Sequence, residues 1–205
     1  LYATSMPIAE KMKKIHDKWL KKCACELRHT ATRGVPGYGN PDASIVFIGE
    51  APGKKEDETG VPFVGAAGKF LDEMLASIKM SRAKADGTRH DFAKSHVYIT
   101  NIVKYRPPNN RDPLPTEKEA CRAWLHEELN CVAPKLIVFL GRHSMNDFFP
   151  ELKISSAHGK LIRRKISGIQ TEYFLPLYHP ASAFYNGSFR TTLLADFKKI
   201  PSILQ

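Results

Sequence analysis

"SIVFIGEAPGKKEDETGVPF" runs from Ser44 to Phe63, and its reading sets the frame for the whole chain. Ile45 to Ile48 form an unbroken apolar run rich in β-branched side chains, the pattern of a strand covered on both faces in a parallel sheet. The run stops at Gly49 and gives way to a carboxylate at Glu50, a turn stiffened by Pro52 and a second glycine at Gly53. Three more apolar runs follow: "VYITNIV" from Val97, "KLIVFL" from Lys135 and "EYFLPLY" from Glu172. Helix-like stretches separate them at residues 65–78, 116–132, 142–149 and 189–199, the second opening with a Thr-x-x-Glu capping pattern at Thr116 and Glu119. This alternation predicts an α/β protein, a three-layer α/β/α sandwich around a central, mostly parallel four-stranded sheet, in a single domain over residues 1–205. Residues 155–170 read as an edge hairpin.

Composition narrows the function classes. No apolar stretch reaches membrane-spanning length, and the Lys-rich "AEKMKKIHDKWLKK" from Ala9 reads as an amphipathic helix rather than a secretion signal. The expectation is an intracellular protein of cytoplasm or nucleoid, monomeric and independent of membranes. Thirty-one Lys and Arg against 21 Asp and Glu leave a net charge of +10, which favours a polyanionic partner such as nucleic acid. Four cysteines without a secretory signal argue for free thiols or a metal site over a disulfide framework.

In open α/β sheets, ligands sit at the carboxyl ends of the strands, so the residues that close each run are the candidates. Here they are polar: Glu50, Asn101, Gly141 and His179. "GEAPG" lacks both the Lys-Ser/Thr of a Walker loop and the dinucleotide glycine spacing. Its glycines let backbone approach a flat ligand, with Gly49 and Ala51 lining it, while Glu50 suits orienting a water or facing a developing cation. Asn101 carries one acceptor and one donor in a planar amide, a match to the N3–H and O4 of uracil and a mismatch to cytosine at both. Phe63 offers a face for a base, and His179, followed by Pro180, offers a donor.

With these residues assembled, the sequence resembles the uracil-DNA glycosylase superfamily, and most closely its family 4, the iron-sulfur type. The resemblance rests on "IVFIGEAPGKKEDETGVPFVGAAGKFLDEML", "VYITNIVKYRPPNNRDP", "EACRAWLHEEL", "PKLIVFLGRHS" and "YHPAS", and covers most of the chain. It implies that Glu50, Glu56, Asn110 and His179 serve hydrolysis, that Phe63 stacks on an extruded uracil and that Asn101 reads its edge. It further implies single- or double-stranded DNA containing uracil as partner. Lys104, Arg106, Arg111 and Arg190 are expected at phosphates, and Phe184 or Tyr185 as a wedge in the base stack. The rival readings are a uracil-DNA binding protein without excision and a glycosylase of broader deaminated-base scope.

The same resemblance implies a [4Fe-4S] cluster on four cysteines, and here the chain departs from the pattern. Cys25 and Cys121 fall at two of the ligand positions, but Lys22 and Tyr105 stand at the other two. The expectation is therefore no metal and no cofactor, with the [4Fe-4S] cluster as the alternative. A second departure is the wedge, where the resemblance implies Leu-Arg and this chain has Phe184-Tyr185; the basic stretch from Lys79 to His96 is also longer than the family pattern, expected as an exposed connection or an added DNA contact.

Overall fold

The computed structural model describes residues 6–82 and 95–205. A helix, α1 (Ile8–Lys22), precedes a short strand β1 (Tyr38–Gly39) and the buried strand β2 (Ile45–Gly49). Then come α2 (Lys54–Thr59), α3 (Ala66–Ser77), β3 (Val97–Asn101), α4 (Pro115–Val132), β4 (Leu136–Leu140) and α5 (Arg142–Phe148). The chain closes with α6 (Ile154–Ala157), β5 (Ile162–Arg163), β6 (Tyr173–Leu177), α7 (Ser182–Tyr185), α8 (Gly187–Phe197) and α9 (Ile200–Leu204).

The four expected strands form a parallel core, but the sheet has six, in the order β1-β3-β2-β4-β6-β5. The two additions, β1 and β5, pair antiparallel with β3 and β6 at the margins. Each is two residues long, too short to show a period of two, which is why the four-stranded expectation is corrected here. The edge hairpin expected over 155–170 is instead α6 followed by β5, with β6 as the partner of β5.

Alternation along the central strands builds the three layers. Ile45 and Phe47 of β2 face a core shared with Phe70, Leu71 and Met74 of α3 and Leu193 and Phe197 of α8. Val46 and Ile48 face the opposite core, shared with Met12 of α1 and Leu125 and Leu129 of α4. A strand whose every residue is buried needs apolar side chains on both faces, and β2 and β4 supply them.

Two local expectations change. α4 begins at Pro115, and its cap is the Glu117 carboxylate accepting from the Leu114 N–H at 2.7 Å, rather than a Thr116–Glu119 box. Proline favours the first helical position because its missing N–H has no partner there anyway. Lys104, expected at DNA phosphates, is fully buried instead: its ammonium bonds the Glu128 carboxylate at 2.5 Å, and Thr100 Oγ1 also accepts from it. His16 of α1 lies 3.2 Å from the other Glu128 oxygen and 3.0 Å from the Tyr98 hydroxyl. Of the basic connection, the base is closed by the His96 N–H donating to Ser81 O at 2.9 Å, and residues 83–94 lie outside the described residues.

Candidate active site

Parallel pairing brings the strand tips to one edge, with Gly49 opposite Asn101 and Leu140 opposite Leu177. Beyond the tips, the exits of β2 and β3 remain bonded, Ile102 N–H to Gly49 O at 3.0 Å and Val103 N–H to Glu50 O at 3.1 Å. A cavity of about 270 Å³ opens there, lined by Ala51, Gly53, Glu56, Phe63, Asn101 and His179 among others. That is just under the ~300–1,000 Å³ range of sites for drug-sized ligands, and suits one small ring.

Asn101 is 3% exposed, and its Oδ1 is buried without a hydrogen-bond partner. A buried amide oxygen left unpaired costs about 1–3 kcal/mol, so an orphan aimed at a cavity marks a place for a donor. The Phe63 ring lies 6.1 Å from the His179 ring, centroid to centroid, at 33°. Phe63 has a φ of 57°, a left-handed conformation that bulky residues rarely adopt and that costs of order 1–3 kcal/mol. Surrounding contacts hold it there: Arg82 Nη2 donates to Phe63 O at 2.7 Å, and Gly68 lets α3 pass so near that a Cβ would stand 1.6 Å from that same oxygen. No reading of the sequence singled out Arg82, because a lone Arg in a basic connection has no motif.

His179 accepts the Ala181 N–H at Nδ1, 3.1 Å away, which leaves its proton on Nε2. Burial, with the nearby His143 adding to it, pushes its pKa down to about 4, so the ring is neutral near pH 7. Glu50 does not line the first cavity. It lines a second, of about 210 Å³, whose walls include His179, Gly141, Arg142, His143 and Ser182, so that His179 is the shared partition. Burial and then the charge of Asp112 raise the Glu50 carboxyl to about 7, against the pull of Lys118 and Arg142. Its Oε1 is buried with no hydrogen-bond partner, and the nearest cationic candidate is His143 Nδ1 at 3.7 Å.

The other expected residues are distributed differently. Glu56 reaches the first cavity, but its Oε1 accepts the N–H groups of Val64 and Gly65 at 2.9 and 3.0 Å. Asn110 is exposed, in a left-handed conformation with φ of 54°, and its Oδ1 accepts from Arg106 Nε at 2.8 Å. Arg111 grips Glu117 through two nitrogens, at 2.9 and 2.6 Å. Arg190 pairs with Glu73 and lies over the Phe70 ring at 4.5 Å. Phe184 and Tyr185 are 53% and 91% exposed on α7, beside the His179 loop.

Two places could interest a metal. Cys23, Cys25 and Cys121 are buried in one cluster with Trp19 and Tyr105, and the Cys23 thiol donates to Ala120 O at 3.7 Å. Hydrogen bonding from Cys121 pulls Cys23 down to about 6, while Cys121 is raised and keeps its proton. Cys23 thus joins the group although its position does not match the ligand pattern. A [4Fe-4S] cluster takes four thiolates, and the fourth position holds Tyr105, whose hydroxyl burial lifts to about 12. Cys131 packs in the opposite core. The donor set is one thiolate short and does not fit the cluster. Separately, Glu50, Asp112 and His143 each bring one atom within 4.8 Å of the others. Arg142 Nε donates to His143 Nε2 at 3.0 Å, and a positive charge beside the trio opposes a cation there.

Comparison with known proteins finds relatives over most of the chain. A family model described as the Uracil DNA glycosylase superfamily matches residues 36–200. A Type-4 uracil-DNA glycosylase of Archaeoglobus fulgidus is 45% identical over 181 residues, covering 86% of this chain and 84% of that protein. One from Sulfurisphaera tokodaii is 42% identical over 196 residues, covering 93% and 84%. One from Thermotoga maritima is 37% identical over 199 residues, covering 96% of each.

Proposed function

This chain belongs to the uracil-DNA glycosylase superfamily, and we propose that it excises uracil from DNA by hydrolysing the N-glycosidic bond. The observation that carries the reading is the orphaned Asn101 Oδ1 in a cavity walled by Phe63 and His179. A base inside a duplex is out of reach, so the nucleotide is extruded into the cavity at a cost of a few kcal/mol. Phe63 stacks on the ring. Asn101 Oδ1 accepts the uracil N3–H and its amide N–H donates to O4; cytosine presents an acceptor and a donor at those positions and is refused.

Bond cleavage leaves negative charge on the base and an oxocarbenium-like sugar. The neutral His179 donates its Nε2–H to uracil O2, where the charge develops, and needs no second proton on the ring to do so. Glu50, beyond His179, faces the sugar side, where its carboxylate orients the attacking water. A carboxyl near 7 is matched to general-base work at neutral pH. Glu56 supports the site by fixing the Phe63 loop, and Asn110 with Arg106 stands on the exposed loop that delivers Asp112 to Glu50.

Arg106, Arg111 and Arg190 contribute positive potential toward the DNA backbone, and Phe184 and Tyr185 project as the wedge. The enzyme acts as a monomer on DNA within the cell. No helix among the described residues is long and apolar enough to cross a membrane. The three-thiol pocket is held by packing with Trp19 and Tyr105 and by the Cys23 thiol's bond to Ala120 O, without a [4Fe-4S] cluster.

The test is single-turnover reaction with uracil-containing oligonucleotides, single- and double-stranded, followed by alkaline cleavage and an iron assay on the same anaerobically purified protein. Abasic product is expected from uracil and not from cytosine. Binding without product favours the non-excising rival, product from hypoxanthine or xanthine the broader scope, and near four irons per chain overturns the cluster-free pocket.

A further inference from the structure

His143 lies in a stretch that carries the resemblance, but the resemblance assigns it no role. It stands in the first turn of α5, immediately after the β4 tip, and reaches across the second cavity to Glu50. Its tautomer follows from its neighbour. Arg142 is always a donor, and its Nε points at His143 Nε2 at 3.0 Å, so that nitrogen accepts and the ring proton resides on Nδ1. Nδ1 is the atom facing Glu50 Oε1, at 3.7 Å, within ion-pair reach and slightly beyond a direct hydrogen bond. On the other edge of the ring, Asp112 Oδ2 lies 3.5 Å from Nε2.

We propose that His143 is a positioning residue for Glu50, its Nδ1–H directed by Arg142 so as to favour the ionised carboxylate, while Asp112 opposes it through like charge. The inference rests on the reading of Glu50 as the hydrolytic carboxylate. Every charged group around the trio fits one side of this balance. Asp112 from the loop before α4 disfavours a second negative charge, while Lys118 of α4 and Arg142 of α5 favour it. Burial first, and then the same Arg142 and Lys118, keep His143 below its usual pKa against the upward pull of Asp112. His179, on the far wall, is neutral and adds no charge.

The sign is fixed by Glu50. Its folded pKa lies above the ordinary carboxylate value, so the active, ionised form accumulates as pH rises through about 7. Removing the His143 donor raises that pKa further and moves the acid limb of the rate profile to higher pH. Removing the Asp112 charge lowers it and moves the limb to lower pH.

The experiment is the pH dependence of the single-turnover excision rate for wild type, His143→Ala, His143→Asn, Asp112→Asn and Glu50→Gln, each with a melting curve. The expected result is an acid limb about one pH unit higher in His143→Ala, so that the rate falls about tenfold on the limb and converges with wild type at alkaline pH. His143→Asn, which keeps an amide donor near the Nδ1 position, restores the wild-type limb, and Asp112→Asn shifts it the other way. A uniform rate loss at every pH in His143→Ala, an unmoved limb, or an Asp112→Asn shift of the same sign overturns the inference. If Glu50→Gln keeps the wild-type profile, the reading of Glu50 itself is wrong, an outcome distinct from a Glu50-dependent enzyme whose limb ignores His143.

Discussion

At Gly49 the backbone runs directly against the Asn101 amide and the Phe63 ring. A Cβ there would stand 2.4 Å from Asn101 Oδ1 and 2.7 Å from two atoms of the Phe63 ring. Contacts this short cannot be absorbed without moving the Asn101 amide or the Phe63 ring. Gly49→Ala is therefore expected to lower the single-turnover rate by about 10²-fold, the scale of a misplacement near 1 Å, with a small change in the urea midpoint. A large stability loss with normal rate per folded molecule would contradict this. The placement of Asn101 and His179 at one cavity was legible in the sequence because each is a polar residue ending an apolar run. His143 and Asp112 were not legible: their relation exists only where β2, α5 and the loop before α4 meet, and no spacing along the chain encodes it.

At the scale of elements, the site depends on how α2 is fastened to α3. Glu56 of α2 accepts two backbone N–H groups, from Val64 and from Gly65, the residue that caps α3, and so spans the left-handed Phe63 between the two helices. Glu56→Ala is expected to cost about 1 kcal/mol in chemical denaturation, as for a lost cap, and to weaken uracil-DNA binding by freeing Phe63. Glu56→Gln, which retains an acceptor oxygen, is expected to lose less in both measurements. α2 escaped the sequence reading because its charged run has no apolar face, and it ends at Gly60 with φ of 76°. The four long strands were legible, since buried parallel strands are continuous apolar runs; β1 and β5 are too brief to leave a pattern.

For the whole molecule, the buried Lys104–Glu128 pair joins the exit of β3 to α4, with His16 bringing in α1. Burial opposes the Glu128 charge, but Lys104 and His16 outweigh it and bring the carboxyl down to about 2 from an ordinary 4.5. A depressed acid stabilises the fold above its unfolded pKa, and this contribution is lost as pH falls from about 4.5 to about 2. Lys104→Met, which strands the carboxylate, is expected to cost about 3–5 kcal/mol at neutral pH. The gap from wild type should narrow in acid as Glu128 takes up a proton, and a gap independent of pH would contradict the account. The sequence reading placed Lys104 at the DNA because net charge says nothing about which cations lie inside.

The uneven covering of the thiols has its own consequence. Cys23, Cys25 and Cys121 are closed in by Trp19 and Tyr105, whereas Cys131, near the end of α4, is only half-covered. An alkylating reagent or oxidant meets the native chain first at Cys131. A fluorophore attached there would ride on the back of the sheet, clear of the strand tips, and could report on the molecule without entering its cleft.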